Sequence, residues 1–261
     1  MKKTLLDTLP EAFPDYAVKL ADGARVFDSS CSPEARVYYI EKGQGYYLKR
    51  GAAGTLAREA DMTRYFKGRG LATEVLAYSR DSYDWLLTAK VAGEDCTHAR
   101  YTENPKRLCD TIATLLRELH ELSFDGCPAP NKTAEYLALA EENYRTGNYD
   151  KSYFPDSFGY ASAEEAYAVL RDGRDALKSD TLLHGDYCLP NIMLDDWRLS
   201  AYIDLGGAGV SDRHIDLFWG AWTLGFNLGT DEFRERFFDA YGRDKVDKEI
   251  LKIVAAAEVF G

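Results

Sequence analysis

Residues 182–209 read LLHGDYCLPNIMLDDWRLSAYIDLGGAG, and three polar residues in this stretch decide the fold. Asp186, Asn191 and Asp204 sit among apolar runs: Leu182-Leu183 before, Ile192-Met193-Leu194 between, and Tyr202-Ile203 just ahead of Asp204. Strand-like pieces at 192–194 and 199–203 would fix the polar side chains at one mouth of a cleft. A buried carboxylate without a partner is costly, and a hard cation is its natural partner. Phosphoryl transfer needs this equipment: one carboxylate to orient a hydroxyl and accept its proton, and an amide plus a second carboxylate to hold Mg²⁺ against phosphates.

Outward from this island the chain changes character near residue 90. Before it, β-rich runs at 24–29, 36–41, 46–50, 74–78 and 85–90 alternate with Gly- or Asp-containing turns such as Lys42-Gly43-Gln44-Gly45. One helix is expected over 55–67, closed by Gly68 and Gly70. After Gly93 the pattern is helical. Asn104 can cap a helix with Pro105 in its first turn, followed by the apolar stripe Leu108, Ile112, Leu115, Leu116 and Leu119. Ser162-Ala-Glu-Glu165 matches a capping box, and Val246, Ile250, Ile253, Val254 and Ala257 form a last stripe. The pattern predicts an α+β chain in two parts: an N-terminal β-rich lobe over 1–91, a helical C-terminal lobe over 92–261, and a loop-borne site between them.

Bulk properties narrow the function. The chain has 261 residues, 46% of them hydrophobic and 29% charged, as in ordinary globular proteins. A formal charge of −11 argues against nucleic acid as partner, while it suits a cationic substrate. No run is apolar enough to span a bilayer, and Asp7, Pro10 and Glu11 interrupt any signal-peptide core at the N-terminus. Five scattered cysteines without a C-x-x-C pair read as free thiols of a cytoplasmic protein. There is no G-x-x-x-x-G-K-[ST] loop, and the H-R-D and A-P-E triplets of protein kinases are missing.

H-G-D-x4-N-I-x-L followed by I-D-L-G resembles the catalytic and metal loops of the aminoglycoside phosphotransferases, small antibiotic-resistance kinases with a bilobal protein-kinase-like fold. The resemblance extends to Cys31-Ser-Pro-Glu-Ala-Arg-Val-Tyr38, Tyr47-Leu48-Lys49, Leu119-His120, Cys127-Pro128, Val210-Ser-Asp-Arg213 and Ile215-Asp216. It is greatest for the subgroup acting on a 3′-hydroxyl. The resemblance implies Asp186 as catalytic base and Asn191 and Asp204 as Mg²⁺ ligands. It implies Lys49 on the phosphates of ATP or GTP, held by Glu59, with Ser32 covering those phosphates. Tyr47 would stack on the adenine, although strand alternation leaves Tyr46 as its rival. Ala89 and Val91 would meet the adenine edge through their backbones, and Met193 and Ile203 would floor its pocket.

The acceptor side is implied less fully. Glu258 and Phe260 fall in a terminal segment whose counterpart reaches the drug's amines, with Gly261 one residue beyond. The segment LFWGAWTLGFNLGTDEF after Asp216 is poor in acids, leaving Asp150 and Asp156 as further acidic candidates. Gly207 stands where I-D-L-G is often followed by Arg, and Leu189 where some members place a carboxylate. This sparse acidity keeps open a kinase of the same fold acting on a macrolide, a choline-like amine or a sugar. A pseudokinase would lack Asp186, Asn191, Asp204 or Lys49, and all four are present. His184 is expected to orient the catalytic loop. Asp212 and Asp216 read as bracing carboxylates, and Trp219, Trp222 and Phe226 as core. No protein partner is implied.

Overall fold

The computed structural model describes residues 3–10, 13–31, 35–151 and 158–261, so Ser32 and Asp156 lie outside the described residues. The chain forms two compact units. The first takes Met1–Gly93 together with Met193–Gly206, and the second takes Glu94–Ile192 and Gly207–Gly261. The boundary expected after residue 91 therefore falls after Gly93, and the first unit also claims a hairpin from the decisive island.

The first unit is built on an antiparallel six-stranded sheet ordered β1-β2-β3-β4-β6-β5. Its strands are β1 (Thr4–Leu5), β2 (Arg25–Asp28), β3 (Arg36–Glu41), β4 (Tyr46–Ala52), β5 (Val75–Arg80) and β6 (Tyr83–Ala89). One face carries Tyr38, Ile40, Leu48, Trp85 and Leu87, packed on Ala17 and Ala21 of α1 (Asp15–Ala21). The other face carries Leu86 beneath Leu56 and Ala60 at the start of α2 (Ala57–Lys67). That helix lacks a side-chain cap of its own. The buried Asp84 substitutes, accepting from the Leu56 amide at 2.9 Å and from Tyr78 Oη at 3.0 Å. The hairpin of β9 (Ile192–Asp195) and β10 (Arg198–Tyr202) joins this unit where the Tyr202 amide donates to the Leu71 carbonyl at 2.7 Å. Its two-residue turn has φ of 48° at Asp196 and 67° at Trp197, the backbone a tight hairpin of right-twisted strands requires.

In the second unit a short strand β7 (Glu94–Asp95) leads into α3 (Ala99–Thr102), α4 (Pro105–His120), α5 (Lys132–Thr146) and α6 (Ala163–Gly173). Asn104 precedes α4 as expected, but its amide donates to the Arg100 carbonyl rather than capping. Ser162 does cap α6, accepting from the Glu165 amide at 3.2 Å, while Glu165 accepts from the Ala161 amide at 2.9 Å. Strands β8 (Thr181–Leu183) and β11 (Gly209–Ser211) pair antiparallel. Then follow α7 (His214–Leu228), α8 (Arg234–Gly242) and α9 (Lys248–Glu258). The apolar stripes of α6 and α9 meet through Ala166, Leu170, Ile253 and Ala257. No helix among the described residues is long and apolar enough to cross a membrane.

Candidate active site

In the first unit, alternation along β4 sends Lys49 and Tyr47 to one face and Leu48, fully buried, to the other. Tyr46 packs with the Leu48 side, while Tyr47 shares the Lys49 face, its ring 5.2 Å from that of Tyr39. Lys49 Nζ sits 2.7 Å from Glu59 Oε2 on α2 and 2.8 Å from Asp204 Oδ1. Burial opposes the Lys49 ammonium, but the two carboxylates outweigh it and its pKa lies above the ordinary lysine value. Burial pushes the Glu59 carboxyl up, against the pull of Lys49.

Asp204 follows β10 with φ of 58°, a conformation a non-glycine residue avoids, and its side chain is half exposed. Its Oδ2 accepts no hydrogen bond from the described residues. Met193 and Ile203 are half-buried beside the fully buried Leu194 and Tyr202. The Ala89 amide donates to the Glu74 carbonyl at 3.1 Å, and its carbonyl accepts from Thr73 Oγ1. Ala89 thus has one carbonyl lone pair left, whereas the Val91 backbone bonds to none of the described residues.

In the second unit, the loop after β8 is held from below by the fully buried Asp216 on α7. Its two oxygens accept from the His184 amide at 2.7 Å and the Gly185 amide at 2.8 Å. His120 Nε2 lies 3.2 Å from Asp216, and His120 Nδ1 lies 2.9 Å from Tyr241 Oη. Burial lowers the His120 pKa, against the pull of Asp216. His184 Nδ1 accepts from the Asp186 amide at 3.3 Å, the bracing part expected of it. Asp212 is a second brace, accepting from the Lys178 amide at 2.8 Å and from the His214 amide at 2.9 Å.

The braced loop presents Asp186, whose Oδ2 accepts from Asn191 Nδ2 at 2.8 Å. The same nitrogen also reaches the Asp186 carbonyl at 3.0 Å. This ties up the amide nitrogen and leaves Asn191 Oδ1 without a hydrogen bond among the described residues. Each unit thus offers one hard oxygen of the kind Mg²⁺ takes, Asn191 Oδ1 in the second and Asp204 Oδ2 in the first. No group of three or more His, Cys, Asp or Glu poised for a metal occurs among the described residues.

Gly185 (φ of 83°) runs so close to Gly207 that a Cβ on it would lie 2.0 Å from the Gly207 carbonyl oxygen. A Cβ on Gly207 would lie 2.9 Å from the Gly185 carbonyl oxygen. A side chain at position 207 would therefore press on the loop that carries Asp186.

Asp186 opens into a pocket of about 200 Å³ whose lining includes Lys132, Tyr136, Trp219, Glu258 and Gly261. Glu258 Oε1 accepts from Tyr136 Oη at 2.8 Å. Burial, with help from Asp186 and Asp216, pushes the Glu258 carboxyl up to about 7, against hydrogen bonds from Tyr136 and the Trp219 indole. Glu258 thereby shares a wall with Asp186. Phe260 does not: its ring is fully buried 5.4 Å from Tyr144 and 5.3 Å from Tyr149, so it anchors the terminal segment instead of lining the pocket. Asp150 is not among the lining residues either. The reading of the α7 aromatics as core also needs correction. Trp219 lines the pocket, Trp222 is half-buried and Phe226 is 71% exposed. Tyr136 and Trp219 were missed, although Trp219 lies one helical turn from Asp216, on the face that follows it.

The model of the phosphotransferase enzyme family matches residues 33–251. A probable aminoglycoside 3′-phosphotransferase of Lactococcus lactis is 49% identical over 252 residues, covering 96% of each chain. An aminoglycoside 3′-phosphotransferase of Niallia circulans is 27% identical over 231 residues, covering 86% of this chain and 87% of that one. Among solved structures, an aminoglycoside-3′-phosphotransferase of type VIII superposes with a TM-score of 0.76 at 26% identity, over 92% of this chain and 94% of that one. The α+β, protein-kinase-like fold expected from the sequence is the fold shared with that structure.

Proposed function

The chain belongs to the phosphotransferase enzyme family, and from that premise we propose that it transfers the γ-phosphoryl group of ATP to a hydroxyl of an aminoglycoside. The observation that carries this reading is the pocket in which Asp186, a carboxylate on a braced loop, faces Glu258, a carboxylate suited to an ammonium group. The finer assignments are part of the same proposal.

Asp186 accepts the proton of the acceptor hydroxyl as its oxygen bonds to the γ-phosphorus and the bond to the β–γ bridging oxygen breaks, releasing ADP. Asn191 positions Asp186 by donating to Oδ2 and keeps its own Oδ1 for Mg²⁺, as Asp204 keeps Oδ2. Bound there, Mg²⁺ would neutralise phosphate charge and polarise the transferring group. Lys49, fixed in direction by Glu59, offers its ammonium to the phosphates; GTP would satisfy it equally, so the base is left to Tyr47, the Val91 backbone, Met193 and Ile203. Glu258 takes an acceptor ammonium, which pulls its carboxyl into the ionised form. A phosphate placed on a polycation spoils its electrostatic fit to RNA, so drug resistance follows. All five cysteines are free thiols, which supports a cytoplasmic setting.

The test is mass spectrometry of kanamycin, neomycin and related drugs incubated with the protein, ATP and Mg²⁺. The expected product carries one added phosphoryl group. No product across the panel would overturn the acceptor assignment.

A further inference from the structure

We propose that Thr223, on α7, is a positioning residue for the transfer: its hydroxyl sets the place of Asn191 by holding the turn that carries it. The proposal deepens the phosphotransferase reading above and rests on it.

The composition of α7 is the first argument. Between Leu217 and Leu228 the helix is apolar except for the indoles of Trp219 and Trp222 and for two further residues, Thr223 and Asn227. Thr223 is buried, and a buried hydroxyl is costly unless it is hydrogen-bonded. The two polar side chains meet in one contact. Asn227 Nδ2 donates to Thr223 Oγ1 at 3.0 Å and to the Thr223 carbonyl at 2.8 Å, which fixes the threonine rotamer. Thr223 Oγ1 in turn accepts from the Leu189 amide at 3.1 Å.

The place of that contact is the second. Thr223 lies about two helical turns beyond Asp216, so the two share one face of α7. Asp216 takes the His184 and Gly185 amides at the entry to the loop, and Thr223 takes the Leu189 amide at its exit. Between the two holds lies Asp186.

The stiffness of the turn is the third. Leu189–Asn191 form a single 3₁₀ turn in which the ring of Pro190 fixes the backbone. The Asn191 amide closes on the Cys188 carbonyl at 2.9 Å, and the Ile192 amide on the Leu189 carbonyl. Such a turn moves as a body. Leu189 is fully buried, and Thr223 is the acceptor that its amide has. Two residues on, Asn191 reaches Asp186 Oδ2 at 2.8 Å and, in the reading above, keeps Oδ1 for Mg²⁺. Removing the hydroxyl strands a buried N–H, which draws the turn towards another acceptor and takes Asn191 with it.

The test compares Thr223→Val, which keeps the shape and loses the hydroxyl, with Thr223→Ser, which keeps the hydroxyl and loses the methyl. Each is assayed for kanamycin phosphorylation and, apart from activity, for the Mg²⁺ concentration that half-saturates binding of a fluorescent ATP analogue. Thr223→Val should lower kcat about tenfold and raise that Mg²⁺ concentration about tenfold, with the KM for kanamycin within about twofold of wild type. Thr223→Ser should return both to within about threefold, even where its Tm lies below that of Thr223→Val, because the effect follows the hydroxyl and not the packing. Should Thr223→Val fail to fold, the half-buried Asn227 supplies the deciding variant: Asn227→Ala frees the Thr223 rotamer and should shift both readings in the same direction, and no shift in either refutes the role. If wild type phosphorylates kanamycin and Thr223→Val matches it, or Thr223→Ser is as impaired as Thr223→Val, the positioning role is refuted and the phosphotransferase reading stands. If no aminoglycoside is phosphorylated, yet the Mg²⁺ requirement rises in Thr223→Val and recovers in Thr223→Ser, the positioning role stands and the acceptor assignment falls. Absence of both transfer and Mg²⁺-dependent nucleotide binding refutes both.

Discussion

Replacing Glu258 with Gln should stabilise the protein and weaken its grip on the acceptor, two effects of opposite sign from one carboxylate. The Glu258 carboxyl titrates at about 7 when folded, against an ordinary value of 4.5. Below pH 4.5 both folded and unfolded chains hold this proton. Between the two values the unfolded chain loses it while the folded chain keeps it, so stability falls as pH rises and levels off above pH 7. At about 1.4 kcal/mol per pH unit the loss reaches roughly 3 kcal/mol. Glu258→Gln removes this dependence and keeps a carbonyl oxygen for the Tyr136 hydroxyl, which donates at 2.8 Å. Urea unfolding at pH 4, 6 and 8.5 should show the variant equal to wild type at pH 4 and more stable by about 3 kcal/mol at pH 8.5. Kanamycin affinity at pH 8.5 should fall by about 10- to 100-fold, the worth of a charge-assisted hydrogen bond. Wild type should lose affinity on acidification below pH 7, whereas the variant should lose none. Parallel stability curves for the two proteins would refute the reasoning.

Three further outcomes follow from the same geometry. Lys49→Ala leaves Glu59, whose side chain is 9% exposed, without its cation; it should cost up to about 3 kcal/mol and raise the KM for ATP. Lys49→Met with Glu59→Leu should restore the stability but not the activity, as denaturation and steady-state kinetics together would report. Asp216→Asn turns an amide nitrogen towards the His184 or Gly185 backbone N–H, and should cost about 1–3 kcal/mol in urea unfolding while lowering kcat with the KM for ATP unchanged. Gly207→Arg should lower kcat although it adds a cation near the phosphates, because the new Cβ meets the Gly185 carbonyl at 2.9 Å; a faster enzyme would show that the loop yields freely.

The fold and half of the site were legible because local pattern and chemistry agree there. Asp186, Asn191 and Asp204 announce themselves as polar residues fixed between apolar strands. The strand alternation that buries Leu48 also dictates which face carries Lys49. Glu59 depended on a helix starting at Ala57, two residues later than the helix expected from residue 55, yet the register on α2 still delivers it to Lys49. The pocket beside Asp186 was harder to read because it is assembled from α5, α7 and α9, whose side chains converge only through tertiary packing. Trp219 and Phe260 show the difficulty: both are aromatics in apolar segments, and only the packing sends the first to the pocket and the second to the core. Gly207 was visible as a departure, but its close contact with Gly185, 22 residues back along the chain, was not.

The most direct measurement is single-turnover phosphorylation of kanamycin by Asp186→Asn under saturating ATP and Mg²⁺, with ATP affinity measured alongside. Loss of the base should slow transfer by about 10²- to 10⁴-fold while ATP binds as in wild type. Transfer within a few-fold of the wild-type rate would contradict the account.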